Sequence, residues 1–127
     1  MKVLSSPVDP KLAERASKEL LEALGEDKVT TNKAILFTYS GTALPIPKTM
    51  PDVVVRAKSV EDVQAVLKIA DKLVVPVMPI CSGTLEPSVI PKAGGIVLDL
   101  YDMDQILEIN TDAAYAVVEP GVSIGQS

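Results

Sequence analysis

The chain has 127 residues, 47% of them hydrophobic, with one Phe, three Tyr and no Trp, and a formal net charge of −5. This size and composition predict a single domain with an aliphatic core. The negative charge argues against nucleic acid as the main partner, because proteins that neutralise phosphates carry clustered Lys and Arg, and the sequence shows no such cluster.

Two absences in the sequence restrict its chemistry. No histidine is present, which removes the commonest general base and metal ligand, so a cofactor or another chain must supply most of any reaction. The single cysteine, Cys81, cannot form an intrachain disulfide or a cysteine-based metal site. Residues 1–15 lack the apolar segment of a signal peptide, and no apolar run approaches the length of a membrane span. We therefore expect a soluble, cytoplasmic protein with no membrane span and no metal site.

The first predicted element is a helix over residues 10–24. Asp9 and Pro10 are residue types that begin a helix, and Gly25 is one that ends it. Between them, apolar residues recur at helical spacing, at Leu12, Ala16, Leu20 and Leu24.

The next segments carry weaker signals. Residues 26–31 are polar and predict a turn. Residues 32–39 form either a short helix capped by Asn32 or an irregular segment. Residues 40–51 contain three prolines and one glycine, which predicts a loop.

A strand, a helix and a second strand follow this proline-rich loop. Residues 52–56 are mostly β-branched and predict a short strand. Ser59, with Asp62 three residues later, is typical of a helix N-terminus. The apolar run over residues 74–78 predicts the second strand. A unit of these lengths predicts a right-handed crossover between two parallel strands.

Three further strands are predicted over residues 95–100, 106–109 and 114–118. Their short polar connections favour a small antiparallel meander packed on the helical part. The predicted fold class is α+β, with an N-terminal helix and proline-rich loop in residues 1–50 and an α/β core in residues 51–127. Residues 119–126 read as a turn and the start of a helix that stops at Ser127. We expect a fragment, a truncated product or one piece of a split protein.

The loop between the strands at 74–78 and 95–100 is the main candidate binding site. Its consecutive backbone N–H groups and the hydroxyls of Ser82 and Thr84 suit a diphosphate; the alternative is a plain surface loop. The spacing matches neither a P-loop nor a GxGxxG motif. Cys81 is predicted to be a small packed residue, because no Lys, Arg or His lies beside it in sequence to activate a thiol.

Three other groups have both a functional and a structural interpretation. The turn at Glu119, Pro120 and Gly121 either brings the backbone close to a ligand or ends a strand. Tyr39 and Tyr115 are candidate acids, although core packing is the usual role of a tyrosine among apolar residues. Four aspartates offer a cation site, but turn chemistry explains them better: Asp99, Asp102, Asp104 and Asp112.

Taken in order, these features resemble the FAD-linked oxidase family, which has the fold of vanillyl-alcohol oxidase and p-cresol methylhydroxylase and includes glycolate oxidase subunits and D-lactate dehydrogenases. The resemblance covers residues 39–126. It is carried by Pro51-Asp52-Val53-Val54-Val55, Ser59-Val60-Glu61-Asp62-Val63, Val75-Pro76-Val77-Met78-Pro79, Gly83-Thr84, Gly94-Gly95-Ile96-Val97-Leu98-Asp99-Leu100 with Met103 and Ile106, and Val118-Glu119-Pro120-Gly121-Val122.

The resemblance implies the first half of an FAD-binding domain, a small α/β unit and the start of a larger sheet with FAD between them. The loop after Pro79 would hold the FAD diphosphate through backbone N–H groups, and a second turn would lie near the cofactor. The implied positions are Ile80, Cys81, Ser82, Gly83, Thr84 and Leu85, then Pro120, Gly121 and Val122. The family's catalytic groups lie mostly beyond Ser127, so no catalytic residue carries over. Without histidine, FAD is expected to bind non-covalently.

The loop departs from the family pattern at two places. Ile80 and Cys81 stand where the family usually has Arg-Gly, and Glu86 and Pro87 stand where it has later glycines. Glu86 adds a negative charge near the diphosphate, and Pro87 removes a backbone donor. Both changes weaken the prediction of tight FAD binding.

Two hypotheses of function follow. In the first, the chain is the FAD-binding portion of an oxidoreductase that transfers hydride from a 2-hydroxy acid or alcohol to flavin, and it is inactive in isolation. In the second, it is a non-catalytic remnant or interaction subunit that keeps the fold and binds itself or a partner chain, because half a domain exposes apolar surface and a sheet edge.

Overall fold

The computed structural model describes residues 8–39, 50–81, 94–123 and 125. It confirms the mixed helix and strand content and the α+β class. In chain order the elements are α1 (Pro10–Leu24), β1 (Val29–Thr30), α2 (Lys33–Thr38), β2 (Val53–Arg56), α3 (Val60–Leu73), β3 (Val77–Ile80), β4 (Ile96–Asp99), β5 (Ile106–Asn110) and β6 (Tyr115–Val118).

A four-stranded sheet forms the centre of the fold, in the order β1-β2-β4-β3. The strands β2, β4 and β3 are parallel, and the two-residue β1 joins β2 antiparallel within the segment predicted as a turn. The predicted strand–helix–strand unit is present, with β2 and β3 parallel but separated by β4. The register aligns the last residues of the three parallel strands, Arg56, Asp99 and Ile80.

The position of β4 differs from the predicted meander. We grouped residues 95–100 with the later strands by chain order, but β4 lies in the middle of the parallel sheet. All four of its residues are buried, as expected for a central parallel strand covered on both faces. The antiparallel part is therefore the β5–β6 hairpin alone.

Helices α1 and α3 begin at the predicted caps. The Asp9 carboxylate accepts the N–H of Lys11 at 2.9 Å, and the Ser59 hydroxyl accepts the N–H of Asp62 at 3.2 Å. Both helices contribute to the main core on one face of the sheet, for example through Leu20 and Val66. No helix in the described part of the chain is long and apolar enough to cross a membrane.

The short helix α2 contributes to the core on the other face. Its cap is Asn32, whose side-chain oxygen accepts the N–H of Ala34 at 2.9 Å, so the helical alternative for residues 32–39 is confirmed. A second, smaller buried cluster consists of Leu36, Val54 and Val97, with Tyr39, Met78 and Ile80 packed against it. Residues that alternate along β2 and β4 thus fill the two cores in turn, as the strand period requires.

The β5–β6 hairpin forms a two-stranded sheet that is separate from the four-stranded sheet. It is tied to the preceding segment by the N–H of Glu119, which donates to the carbonyl of Gln105 at 2.9 Å. Its apolar side chains are exposed on the described surface: Ile106, Leu107, Ile109, Val117 and Val118.

Candidate cofactor site

The predicted loop begins at the carboxyl edge of the parallel sheet. Arg56, Asp99 and Ile80 end their strands side by side at this edge. In open α/β sheets, ligands bind in the crevice outside the carboxyl ends of the strands.

Ile80 ends β3 at this edge, and Cys81 follows it directly. Ile80 is half-buried against the smaller core cluster, and its carbonyl accepts the N–H of Leu100 at 2.9 Å. Cys81 is exposed, so the prediction of a packed cysteine was wrong. The reason is that β3 is an edge strand that ends at Ile80. The other predicted loop residues, Ser82, Gly83, Thr84 and Leu85, lie outside the described residues.

The turn after β6 is held by Gly121. Its N–H donates to the carbonyl of Met103 at 2.7 Å. A Cβ at Gly121 would lie 2.2 Å from the carbonyl oxygen of Tyr101 and 2.8 Å from those of Leu100 and Met103. The close backbone approach predicted for this glycine is thus made to the protein's own chain, and only glycine fits. Pro120 is exposed beside it, and Val122 is half-buried.

Leu100 joins the two predicted groups. Its N–H is bonded to Ile80, and its carbonyl faces Gly121. Ile80 and Gly121, which are far apart in sequence, therefore both lie against the backbone of Leu100, directly after β4. The carboxyl edge of an open parallel sheet is where dinucleotides usually bind.

A buried hydrogen-bond network around Asp99 was not predicted. Asp99 is 7% exposed, and its Oδ1 accepts the N–H of Tyr101 at 2.9 Å, which is the expected turn chemistry. Its Oδ2 accepts the hydroxyl of Tyr39 at 2.6 Å. Burial, followed by this bond to Asp99, raises the pKa of Tyr39 to about 12, so the phenol stays protonated near neutral pH. Arg56 Nε lies 4.0 Å from the same carboxylate oxygen.

Two of the remaining candidates, Asp102 and Tyr115, have structural partners. Asp102 accepts a hydrogen bond from Arg56 at 3.1 Å. Tyr115 is exposed and donates to Glu108 at 2.8 Å, so its predicted core packing was wrong, because β6 lies in the exposed hairpin. Within the described ranges, no three acidic or cysteine side chains are grouped closely enough to hold a metal ion.

Comparisons with known proteins decide the family. A family model described as an FAD binding domain matches residues 51–126. The chain belongs to this FAD-binding family. It is 33% identical over 117 residues to the 4-cresol dehydrogenase [hydroxylating] flavoprotein subunit of Pseudomonas putida, covering 88% of this chain and 22% of that protein. It is 34% identical to the glycolate oxidase subunit GlcD of Bacillus subtilis, covering 83% of this chain and 23% of that one.

Solved structures agree with this membership. The crystal structure of p-cresol methylhydroxylase with substrate bound superposes with a TM-score of 0.85 at 32% identity, over 95% of this chain and 25% of that chain. The resemblance stated from the sequence is confirmed, as are the FAD-binding fold and FAD as the cofactor. The FAD-binding chain spans less than a quarter of the length of the two curated relatives named above.

Proposed function

We propose that this chain forms the first half of the FAD-binding domain of an oxidoreductase that oxidises a 2-hydroxy acid or an alcohol. When bound, FAD supplies the hydride acceptor for such an oxidation. Two relatives support the substrate class by name, a glycolate oxidase subunit and a probable D-lactate dehydrogenase of Danio rerio. Both names indicate a 2-hydroxy acid.

The observation that supports this proposal is that Ile80 and Gly121 both lie against the backbone of Leu100 at the end of the central strand. In the proposal, residues 80–85 direct backbone N–H groups to the FAD diphosphate, and residues 120–122 border the cofactor. The chain binds and orients FAD but provides no group that reacts with substrate. We therefore expect the 127 residues to bind FAD without oxidising any substrate on their own.

Flavin titration tests the proposal. FAD added to the purified chain should lose fluorescence as it binds, and the complex should be yellow. Thr84→Glu places a carboxylate in the proposed diphosphate loop and should weaken binding by about tenfold or more, because like charges repel at a partly desolvated site. Thr31→Glu is the matched control. Thr31 is exposed and lines the same surface depression as Asp52, the residue directly before β2, whereas the proposed loop begins at the other end of the parallel strands.

The control should bind FAD like the wild-type chain. A wild-type chain that stays colourless and leaves FAD fluorescence unchanged at saturating FAD contradicts the proposal. Equal weakening by the two variants contradicts the placement of the loop.

The exposed hairpin favours a second candidate, an interaction subunit that self-associates or binds a partner chain. Several apolar side chains of β5 and β6 are exposed, including Ile109 at 62% and Leu107 at 59%. Exposed contiguous apolar surface and free strand edges are typical of interaction sites. Light scattering coupled to size exclusion should show a dimer or larger species that Ile109→Lys dissociates. A folded chain that is strictly monomeric contradicts self-association.

A further inference from the structure

The phenol of Tyr39 connects two parts of the fold that the chain order keeps apart. Tyr39 follows α2, and its hydroxyl donates to Asp99, the last residue of the central strand β4, at 2.6 Å. The other oxygen of that carboxylate is occupied by the N–H of Tyr101. Asp99 is therefore buried, with a hydrogen bond to each of its carboxylate oxygens, and one of these bonds holds the Tyr39 hydroxyl at the end of the central strand.

The end of β3 is hydrogen-bonded on one side only within the described sheet. In the described part of the chain, β3 pairs only with β4, and Pro79 within it has no N–H to donate. Its last bond to the neighbouring segment runs from the N–H of Leu100 to Ile80. Ile80 is aligned with Asp99 and packs against the same buried cluster as Tyr39.

We propose that the Tyr39–Asp99 hydrogen bond fixes the end of β3 and with it the first residues of the FAD loop, so that Tyr39 is a positioning residue for the cofactor. The bond orders the α2 side of the sheet at the residues where the loop begins. Losing it frees Ile80 and Cys81 to fluctuate, and FAD must then order them when it binds. This inference rests on the proposed FAD site at residues 80–85.

Tyr39→Phe tests the proposal with the smallest possible change, because it removes only the hydroxyl. Tyr115→Phe is the matched control, since it removes an exposed tyrosine–carboxylate bond in the hairpin. Two properties are measured on the full 127-residue chain: the FAD dissociation constant from fluorescence quenching, and the rate at which iodoacetamide alkylates Cys81. Cys81 is the only cysteine, so the alkylation rate reports on the residue directly after β3.

The expected result is an FAD dissociation constant raised about tenfold and a faster Cys81 reaction in Tyr39→Phe, with both unchanged in Tyr115→Phe. Asp99→Asn should also weaken binding, and its effect should not multiply with that of Tyr39→Phe, because both remove the same bond. An FAD dissociation constant in Tyr39→Phe equal to that of the wild-type chain would overturn the proposal.

The two readouts separate this proposal from the proposed function. If the wild-type chain binds no FAD, the proposed function fails and the positioning role fails with it. If the wild-type chain binds FAD and Tyr39→Phe binds it equally well, the FAD site stands and only the role of Tyr39 is rejected.

Discussion

Gly121→Ala should destabilise the fold, because the added methyl group has no space. Its Cβ would lie 2.2 Å from one backbone carbonyl oxygen and 2.8 Å from two others, those of Tyr101, Leu100 and Met103. These atoms belong to the backbone, so they cannot move aside as a flexible side chain does. Overpacking of this kind costs about 1–3 kcal/mol, and loss of the bond from Gly121 N–H to Met103 adds about 1 kcal/mol.

The expected loss is therefore about 2–4 kcal/mol in the free energy of unfolding, measured by urea denaturation with far-UV circular dichroism. Gly125→Ala is the matched control, because among the described residues the nearest atom to its added Cβ is the Ser123 hydroxyl oxygen at 3.9 Å. The control should leave the urea midpoint unchanged. A Gly121→Ala midpoint equal to that of the wild-type chain would refute the steric argument and the placement of this turn against residues 100–103.

Two further predictions concern charge. Glu86→Gln should tighten FAD binding at low ionic strength, because it removes a carboxylate directly after the proposed diphosphate loop, and the gain should disappear in high salt. Glu14→Gln, on the exposed side of α1, is the control and should have no effect in the same titration. Burial alone raises the pKa of Asp62, but hydrogen bonds from the Lys58 N–H and the Lys28 ammonium hold it below its usual value of 3.8. The ionised Asp62 carboxylate therefore stabilises the fold above pH 3.8, and this stabilisation is lost as the pH falls below that value. Asp62→Asn should lower the free energy of unfolding by about 1–3 kcal/mol at neutral pH and by progressively less below pH 3.8. Urea denaturation over a range of pH measures both effects.

The local elements were predictable because their signals are local. Asp9 and Ser59 cap the helices that their sequences predict, and Asn32 caps the short helix that was one of two alternatives. The place of β4 was not predictable in the same way. Chain order puts it beside β5, whereas its burial on both faces requires the centre of the sheet, and pairing with β2 joins residues that are distant in sequence.

The candidate site also combines features that the sequence predicts with contacts between distant residues that it does not predict. The family pattern names residues 80–85 and 120–122 as cofactor positions, which remains a prediction, and in the structure Ile80 and Gly121 both lie against Leu100. Neither Tyr39 nor Asp99 was predicted to contact the other, because 60 residues separate them and each had a sufficient local explanation. The exposure of Cys81 was also missed, since nothing in the sequence shows that β3 lies at the edge of the sheet.

The polar groups that end the three parallel strands are largely satisfied within the protein. Arg56 is paired with Asp102, Asp99 accepts from Tyr39 and Tyr101, and the N–H of Leu100 donates to Ile80. The position where the family usually carries an arginine holds Ile80, so the loop itself begins without a cation. In our proposal, backbone N–H groups must therefore provide most of the attraction for the FAD diphosphate, and such groups act only when they are held in place. This dependence on order rather than on charge is the reason why Tyr39, which carries no charge at neutral pH, should affect FAD affinity at all.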